Sequence, residues 1–239
     1  IETFGKIWDN DEWKDYKLDS YSYDNNDNLV EFLQQRWIEQ WNQEWEFENR
    51  YKSSFSYDQN NNRLEYLEQQ WQDSIWINSN IRTYDYNNLG NMINEFSKYW
   101  FEDDWVNSSK TTYEYDENNN IVEEIGYWWS DNVWANDNLK TYTYDINGNL
   151  TVRLYQSYIN DNWVNWRLTT REYNGDNIPQ LLEQIWIEDE WVNKDIYIYT
   201  YNDNNNRIEF LRQEWEENNW VNYYRYIYDY DNNNNQIEK

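Results

Sequence analysis

Polar and apolar positions alternate along much of this chain, and the alternation comes in recurring blocks. In the block from 105 to 115, Trp105, Asn107, Ser109, Thr111, Tyr113 and Tyr115 share one parity, which predicts a strand with one aromatic face. Val, Thr, Tyr and Trp, which fill this stretch, are all favoured in strands. The stretch before it, from Met92 to Trp100, alternates less regularly. The polar run Glu102-Asp103-Asp104 separates the two, and an Asn-rich tract from Asp116 to Asn120 follows. Asn, Asp and Gly tolerate positive φ and Asx side chains bond nearby backbone, so these tracts predict turns. Asn147-Gly148 is the sharpest hairpin signal. A helical reading fails because Asn, Thr, Tyr and Trp are mediocre helix formers and no 3.6 period persists.

The block repeats from end to end. A Tyr followed by Asp or Asn heads each turn tract at Tyr23, Tyr57, Tyr86, Tyr115, Tyr144, Tyr173, Tyr201 and Tyr230, at spacings of 34, 29, 29, 29, 29, 28 and 29. Two aromatics five apart keep the same beat: Trp8/Trp13, Trp71/Trp76, Trp100/Trp105, Trp129/Trp134, Tyr158/Trp163, Trp186/Trp191 and Trp215/Trp220. The second repeat carries Trp37, Trp41 and Trp45 instead, with five extra residues expected in a loop at one edge. Residues 1–239 therefore read as a single array of eight units of about 29 residues, without an internal linker. Ile1-Glu2, Ile208-Glu209 and Ile237-Glu238 occupy the same point of the repeat, so the chain is expected to be a segment of a longer array.

Two strands per unit predict an all-β fold, an antiparallel hairpin meander of about sixteen strands. So wide a sheet twists, coils or closes. An open coiled sheet with the Trp/Tyr ladder inside the curve is the first expectation, and a closed barrel or β-solenoid the alternative. A propeller fits badly, since four strands per blade leave too few blades.

Composition changes this picture in two ways. A mean hydropathy of -1.29 with a net charge of -27 would suggest disorder, but 18 Trp and 25 Tyr supply the apolar surface that disordered chains lack. The absence of Cys and His removes disulfides, thiolate zinc sites and any Cys or His nucleophile, base or ligand. An acidic surface repels phosphate backbones and anionic lipid, so neither nucleic acid nor a membrane is expected as partner. No apolar run is long enough for a spanning helix. Acidic, Asn-rich, Cys-free surfaces suit salt-screened water outside the cell, which predicts an extracellular or cell-surface location.

The segment Tyr142-Thr-Tyr-Asp-Ile-Asn-Gly-Asn-Leu150 resembles the YD-type, or RHS-like, repeat: a Tyr-Asp pair, a short Gly/Asn turn and an apolar residue. With the surrounding Trp-Val-Asn and Gln-rich segments, nearly the whole chain is similar to repeat arrays of secreted Bacteroidetes proteins exported by the type IX system. Most units lack the turn glycine, and the segment from Tyr173 to Pro179 is degenerate. The resemblance implies a coiled sheet, since larger YD-repeat proteins spiral into shells, and implies nothing about an activity.

Three sets of residues are candidates for chemistry. Asp145, Asn147 and Asn149 place oxygens at positions 1, 3 and 5 of a calcium-type loop, as do the tracts at Asp116 and Asp58. Position 12, which should be a bidentate Glu, is Gln156, so hairpin-turn chemistry is preferred, with no cofactor beyond weak calcium association. The motif Trp-x-Asn recurs at Trp76, Trp105, Trp134, Trp163, Trp191 and Trp220, either as a structural ladder or as a row of faces for stacking sugars. Adjacent carboxylates such as Glu123/Glu124, Asp103/Asp104 and Glu216/Glu217 fall on opposite faces of a strand, which argues against a glycosidase pair and against an enzyme. The expected function is structural or adhesive: a surface spacer, coat or filament segment that associates end to end with its own kind. A carbohydrate-binding module using the Trp/Tyr face is the alternative.

Overall fold

The computed structural model of the chain describes residues 1–9, 12–39, 45–175, 177–231 and 233–237. The repeats form strands β1 (Glu2–Asp9), β2 (Glu12–Tyr23), β3 (Leu29–Glu39), β4 (Trp45–Tyr57), β5 (Arg63–Gln72), β6 (Ile75–Tyr86), β7 (Met92–Phe101) and β8 (Asp104–Tyr115). They continue with β9 (Ile121–Ser130), β10 (Val133–Tyr144), β11 (Leu150–Ile159), β12 (Asn162–Asn174), β13 (Asn177–Ile187), β14 (Glu190–Tyr201), β15 (Arg207–Glu216) and β16 (Asn219–Ile227). A small hairpin, β17 (Asp229–Tyr230) with β18 (Gln236–Ile237), follows. The sixteen strands lie in chain order in one antiparallel sheet that is not closed into a barrel. The open meander predicted from the repeats is therefore the fold. The five extra residues of the second repeat fall at 40–44, outside the described residues.

Two kinds of turn alternate. Between the paired aromatics the turn is two residues long, and both have φ between 47° and 65° at 73–74, 102–103, 131–132, 160–161, 188–189 and 217–218. This is the mirror-image turn that matches strand twist, and none of these six turns contains glycine. The Asn-rich turns are longer. Asp145 N–H donates to the Asn149 carbonyl at 2.9 Å and Gly148 N–H to the Asp145 carbonyl at 3.0 Å, with Gly148 at φ 82°.

Two compact units make up the chain, residues 1–112 with 127–135, and residues 113–126 with 136–239. In the first unit Leu18 and Tyr84 are the buried apolar side chains, beside Asp19 and Ser53; in the second they are Leu139 and Ile196, beside Thr169 and Asp195. Most other strand side chains are half-buried. That is the burial expected when side chains pack sideways against neighbours on the same face of a sheet.

The single aromatic face predicted for each second strand does not exist. In the first unit, β5 alternates regularly, so Trp71, Gln69 and Leu67 share one face and Gln70, Glu68 and Tyr66 the other. The register pairs Trp71 with Trp76 and Gln69 with Asn78, but then Glu68 with Asn80 and Tyr66 with Arg82. Ser79 is an extra residue, a β-bulge, and beyond it the parity of β6 inverts. Ser108 does the same in β8, where Lys98 pairs with Asn107 and Ser97 with Ser109. Trp105 and Asn107 thus lie on one face, and Ser109 and Thr111 on the other. In the second unit Tyr223 is the extra residue, so Trp220 and Asn222 lie with Trp215 while Tyr224 and Tyr226 lie with Arg212 and Phe210. Each unit has a tryptophan face and a tyrosine face.

Candidate functional site

The tryptophan face repeats one arrangement. Each aromatic pair flanks a two-residue turn one position removed from it, as in Trp71 opposite Trp76, where antiparallel side chains approach most closely. In the first unit the ring centroids of Trp71/Trp76, Trp100/Trp105 and Trp129/Trp134 are 4.9, 5.0 and 4.8 Å apart, edge to face. In the second unit Tyr158/Trp163, Trp186/Trp191 and Trp215/Trp220 stand at 5.0, 5.0 and 4.9 Å, also edge to face. Trp76, Trp105, Trp134, Trp163, Trp191 and Trp220 are all half-buried. The Asn of the motif is engaged as well. Gln69, Gln156, Gln184 and Gln213 donate Nε2 to the Oδ1 of Asn78, Asn165, Asn193 and Asn222 at 3.0, 3.0, 3.0 and 2.8 Å. Edge-to-face pairs contribute about 0.5–1.5 kcal/mol each beyond area burial. They offset part of the cost of the left-handed backbone in turns such as Glu102-Asp103 or Glu188-Asp189, where each non-glycine residue costs about 1–2 kcal/mol.

The Tyr-Asp anchors close the open ends of the hairpins. The Tyr57 and Tyr86 hydroxyls donate to the carbonyls of Leu29 and Arg63 at 2.9 Å, each the first residue of the strand paired with its own. In the second unit Tyr144, Tyr173 and Tyr230 donate to the carbonyls of Ile121, Leu150 and Arg207 at 2.9, 2.9 and 3.0 Å. Burial pushes the Tyr86, Tyr115 and Tyr144 hydroxyls above the ordinary tyrosine range.

The carboxylates of the turns spend their oxygens on the turns. Asp145 Oδ1 accepts from the backbone N–H of Asn147 and Asn149 at 2.9 Å, and Oδ2 accepts from Asn149 Nδ2 at 3.1 Å. Asp58 and Asp116 are used in the same way. This is the Asx-turn chemistry preferred from the sequence. Among the described residues no group of three or more potential acidic metal ligands occurs. A ladder unforeseen in the sequence links neighbouring turns: Asn26 and Asn28 both donate Nδ2 to Asn61 Oδ1, at 3.2 and 2.9 Å, and Asn204 and Asn206 to Asn234 Oδ1, at 3.3 and 3.0 Å. Asn61 and Asn234 have φ of 65° and 62°, so the left-handed position of one turn presents its amide to the turn before it.

The adjacent carboxylates have separate duties. Asp103 belongs to a two-residue turn, as does Glu217, and Asp104 accepts from the Trp105 N–H at 2.7 Å. Glu124 takes the Lys140 ammonium and the Tyr142 hydroxyl.

The tyrosine face varies from repeat to repeat. The extra bulge residue is Tyr16, Arg50, Ser79 or Ser108 in the first unit and Trp166, Lys194 or Tyr223 in the second. Ring contacts place several of these side chains on this face: Trp166 lies 6.1 Å from Tyr155, and the Arg212 guanidinium sits 4.7 Å over Tyr223. In the second unit the face is laced by ion pairs, Arg167 to Glu183 at 2.8 Å and Arg212 to the buried Asp195 at 2.9 Å. In the first unit it holds a groove of about 730 Å³ across β3 to β6. Rows of side chains cross the groove: Arg36 and Arg50 at one end, then Tyr51 between Gln34 and Gln70, then Ser53 between Phe32 and Glu68, then Phe55 beside Tyr66. Phe32 lies 5.7 Å from Tyr51, and Phe55 stacks on Tyr66 at 5.2 Å. Glu68 accepts from the Tyr66 hydroxyl and from Asn80, and burial, reinforced by Glu68, raises Tyr66 above the usual tyrosine range. No sequence motif announced this site, because its residues come from four strands.

No family model and no curated protein matches the chain. Among solved structures, a porin-like protein from Bacteroides uniformis aligns with 94 % of this chain and 92 % of its own, at 11 % identity and a TM-score of 0.42. A protein of unknown function from Bacteroides fragilis aligns with 49 % of this chain and 91 % of its own, at 16 % identity and a TM-score of 0.41. A DUF3836 family protein from Bacteroides vulgatus aligns with 35 % of this chain and 89 % of its own, at 19 % identity and a TM-score of 0.30. With identities and TM-scores this low, none of them assigns a function, and the functional reading rests on this chain's own residues.

Proposed function

We propose that the chain is a non-enzymatic structural repeat module of a cell surface or extracellular layer, serving as spacer, coat or filament segment. The observation that carries this reading is the use made of the repeated residues. The Trp pairs, the Gln–Asn pairs and the Tyr hydroxyls are all spent on holding strands to one another. Sugar stacking on the Trp-x-Asn row is the weaker alternative, since those rings are half-buried against partners and most of the Asn carbonyls accept from Gln. The likeness of the Tyr-Asp unit to YD-type arrays of secreted proteins fits the same reading, as does the acidic, Cys-free composition.

The structural reading extends to association with further repeats of the same kind. Trp8 and Trp13, the aromatic pair of β1 and β2, are 55 % and 63 % exposed where their internal counterparts are half-buried, and Tyr226 and Ile227 of β16 are 55 % and 64 % exposed. β1 and β16 are the first and last strands of the sheet order, the positions at which strand addition would extend the sheet. Size-exclusion chromatography with light scattering tests this over a range of protein and salt concentrations. Salt from 0.1 to 1 M shortens the screening length from about 10 to about 3 Å and relieves self-repulsion. Mass growing with concentration and salt is the expected result; a monomer under all conditions overturns the filament reading.

A further inference from the structure

The geometry points to a ligand site in the tyrosine-face groove of the first unit, and to an acidic oligosaccharide bearing uronate carboxylates as its ligand. The groove's volume of about 730 Å³ lies within the range of small-molecule sites, about 300–1,000 Å³.

Charge is the first argument. The chain has 46 acidic and 19 basic residues, so two arginines at one end of a groove depart from its overall charge. Lys17 on β2 and Arg82 on β6 each stand within ion-pair distance of a carboxylate, Asp19 and Glu95. Arg36 and Arg50, which line the same end of the groove, form no ion pair among the described residues, although Glu48 is the register partner of Arg36. Both are exposed, and Arg50 is presented by the β4 bulge, where Gln34 and Gln35 pair with Tyr51 and Asn49 and leave Arg50 extra. The Arg36 guanidinium lies 5.9 Å over the Tyr16 ring, and an exposed guanidinium suits a planar carboxylate, which it can grip through paired N–H donors.

The rest of the groove suits a sugar ring. Next to the arginines Tyr51 is 39 % exposed and is flanked in register by Gln34 and Gln70. An aromatic face with amides on both sides offers apolar stacking for the C–H face of a pyranose and donors and acceptors for its hydroxyls. Gln34 gives its Nε2 to Asp19 at 3.1 Å and keeps its carbonyl for a ligand hydroxyl. Glu68 lies two rows further along, roughly 13 Å from the arginine end at the strand rise, so it accepts a hydroxyl without opposing the carboxylate.

The experiment is calorimetric titration of the whole chain, in 0.15 M NaCl, with tetragalacturonate, tetramannuronate and a hyaluronan tetrasaccharide, and with fully methyl-esterified tetragalacturonate as the neutral control. At least one acidic tetrasaccharide is expected to bind at least tenfold more tightly than the ester. Arg50→Gln and the pair Arg36→Gln with Arg50→Gln are expected to lower that affinity tenfold or more while leaving the circular dichroism spectrum unchanged. Tyr51→Ala is expected to weaken acidic and esterified probes alike. Absence of binding by all three acidic probes overturns the proposal, as does binding that the arginine variants leave unchanged. If sodium sulfate alone displaces the saccharide completely at equal concentration, the site is an oxyanion site and the saccharide assignment falls. Trp105→Phe, on the opposite face, keeps its affinity if the site is placed correctly; a tenfold loss there would move the site to the tryptophan ladder.

Discussion

The two faces of the sheet are built by the same strands yet follow different rules. On the tryptophan face, hairpin after hairpin places an aromatic pair edge to face about a short turn, usually with a Gln–Asn bond beside it. On the tyrosine face, the corresponding rows hold Arg, Glu, Ser, Phe or Tyr in changing combinations, and the bulge residue changes with them. Repetition is demanded where each unit must fit the next, and it relaxes where side chains face solvent or a ligand. One inserted residue separates the two regimes, since beyond it each second strand turns its side chains over.

The largest expected contrast is between two tryptophans. Trp134 stands 4.8 Å from Trp129 and 6.4 Å from Phe96, whereas Trp166 sits on a bulge and is 57 % exposed. Trp134→Ala should cost about 2–3 kcal/mol in urea unfolding, less than a fully buried ring because Trp134 is half-buried. Trp166→Ala should stay within about 0.5 kcal/mol. Equal losses would erase the distinction between scaffold face and varied face.

A gain of about 1–2 kcal/mol is expected from replacing Glu188-Asp189 by Asn-Gly, the pair best suited to φ values of 49° and 63°. Thermal unfolding reads it, and no gain would mean that the adjacent Trp186/Trp191 pair leaves no strain in the turn. Tyr144→Phe removes the bond to the Ile121 carbonyl and should cost about 1 kcal/mol. Burial of these hydroxyls acts on the alkaline side. Because Tyr86, Tyr115 and Tyr144 are raised above the unfolded value near 10, their stabilisation is complete below about pH 10 and is lost as pH rises through the folded values. Unfolding monitored together with tyrosinate absorbance should show both changes in one transition.

The smallest effect is on the acid side. The bond from the partner Asn side chain, then that residue's backbone N–H, holds Asp24, Asp58 and Asp116 below the usual carboxylate range; for Asp145 and Asp231 the backbone N–H of Asn149 and Asn235 leads. A lowered value stabilises the fold above the unfolded value of about 3.9, and the benefit disappears as pH falls through the folded values. Asn87 and Asn202 occupy the same place in their turns and keep both backbone bonds, so replacing the five aspartates by Asn should leave the fold intact and flatten this acid limb. An unchanged acid limb would assign acid sensitivity to the ion pairs of the tyrosine face instead.

Much of the architecture could be read from residues alone. The Tyr-Asp anchors and paired aromatics mark the period, and the Asn-rich tracts mark one set of turns. What escaped is instructive. The other turns carry Glu-Asp, Asp-Ser or Glu-Asn, which lack the glycine that signals a mirror-image turn, because the flanking rings secure the geometry. The bulge escaped because an added Ser, Arg or Tyr among polar residues leaves composition and apparent parity intact, which put Trp105 and Thr111 on one face when they lie on two. Trp-x-Asn was visible as a motif, but only its partners decided between ladder and sugar platform. The groove escaped entirely, since Gln34, Tyr51 and Gln70 meet only through register.

The sequence by itself determined the meander, because period, strand propensity and turn chemistry are local properties that each repeat states again. Tertiary structure alone decided which side chains share a face and which gather in a groove. Those relations depend on register across strands, and a single unpaired residue is enough to invert them.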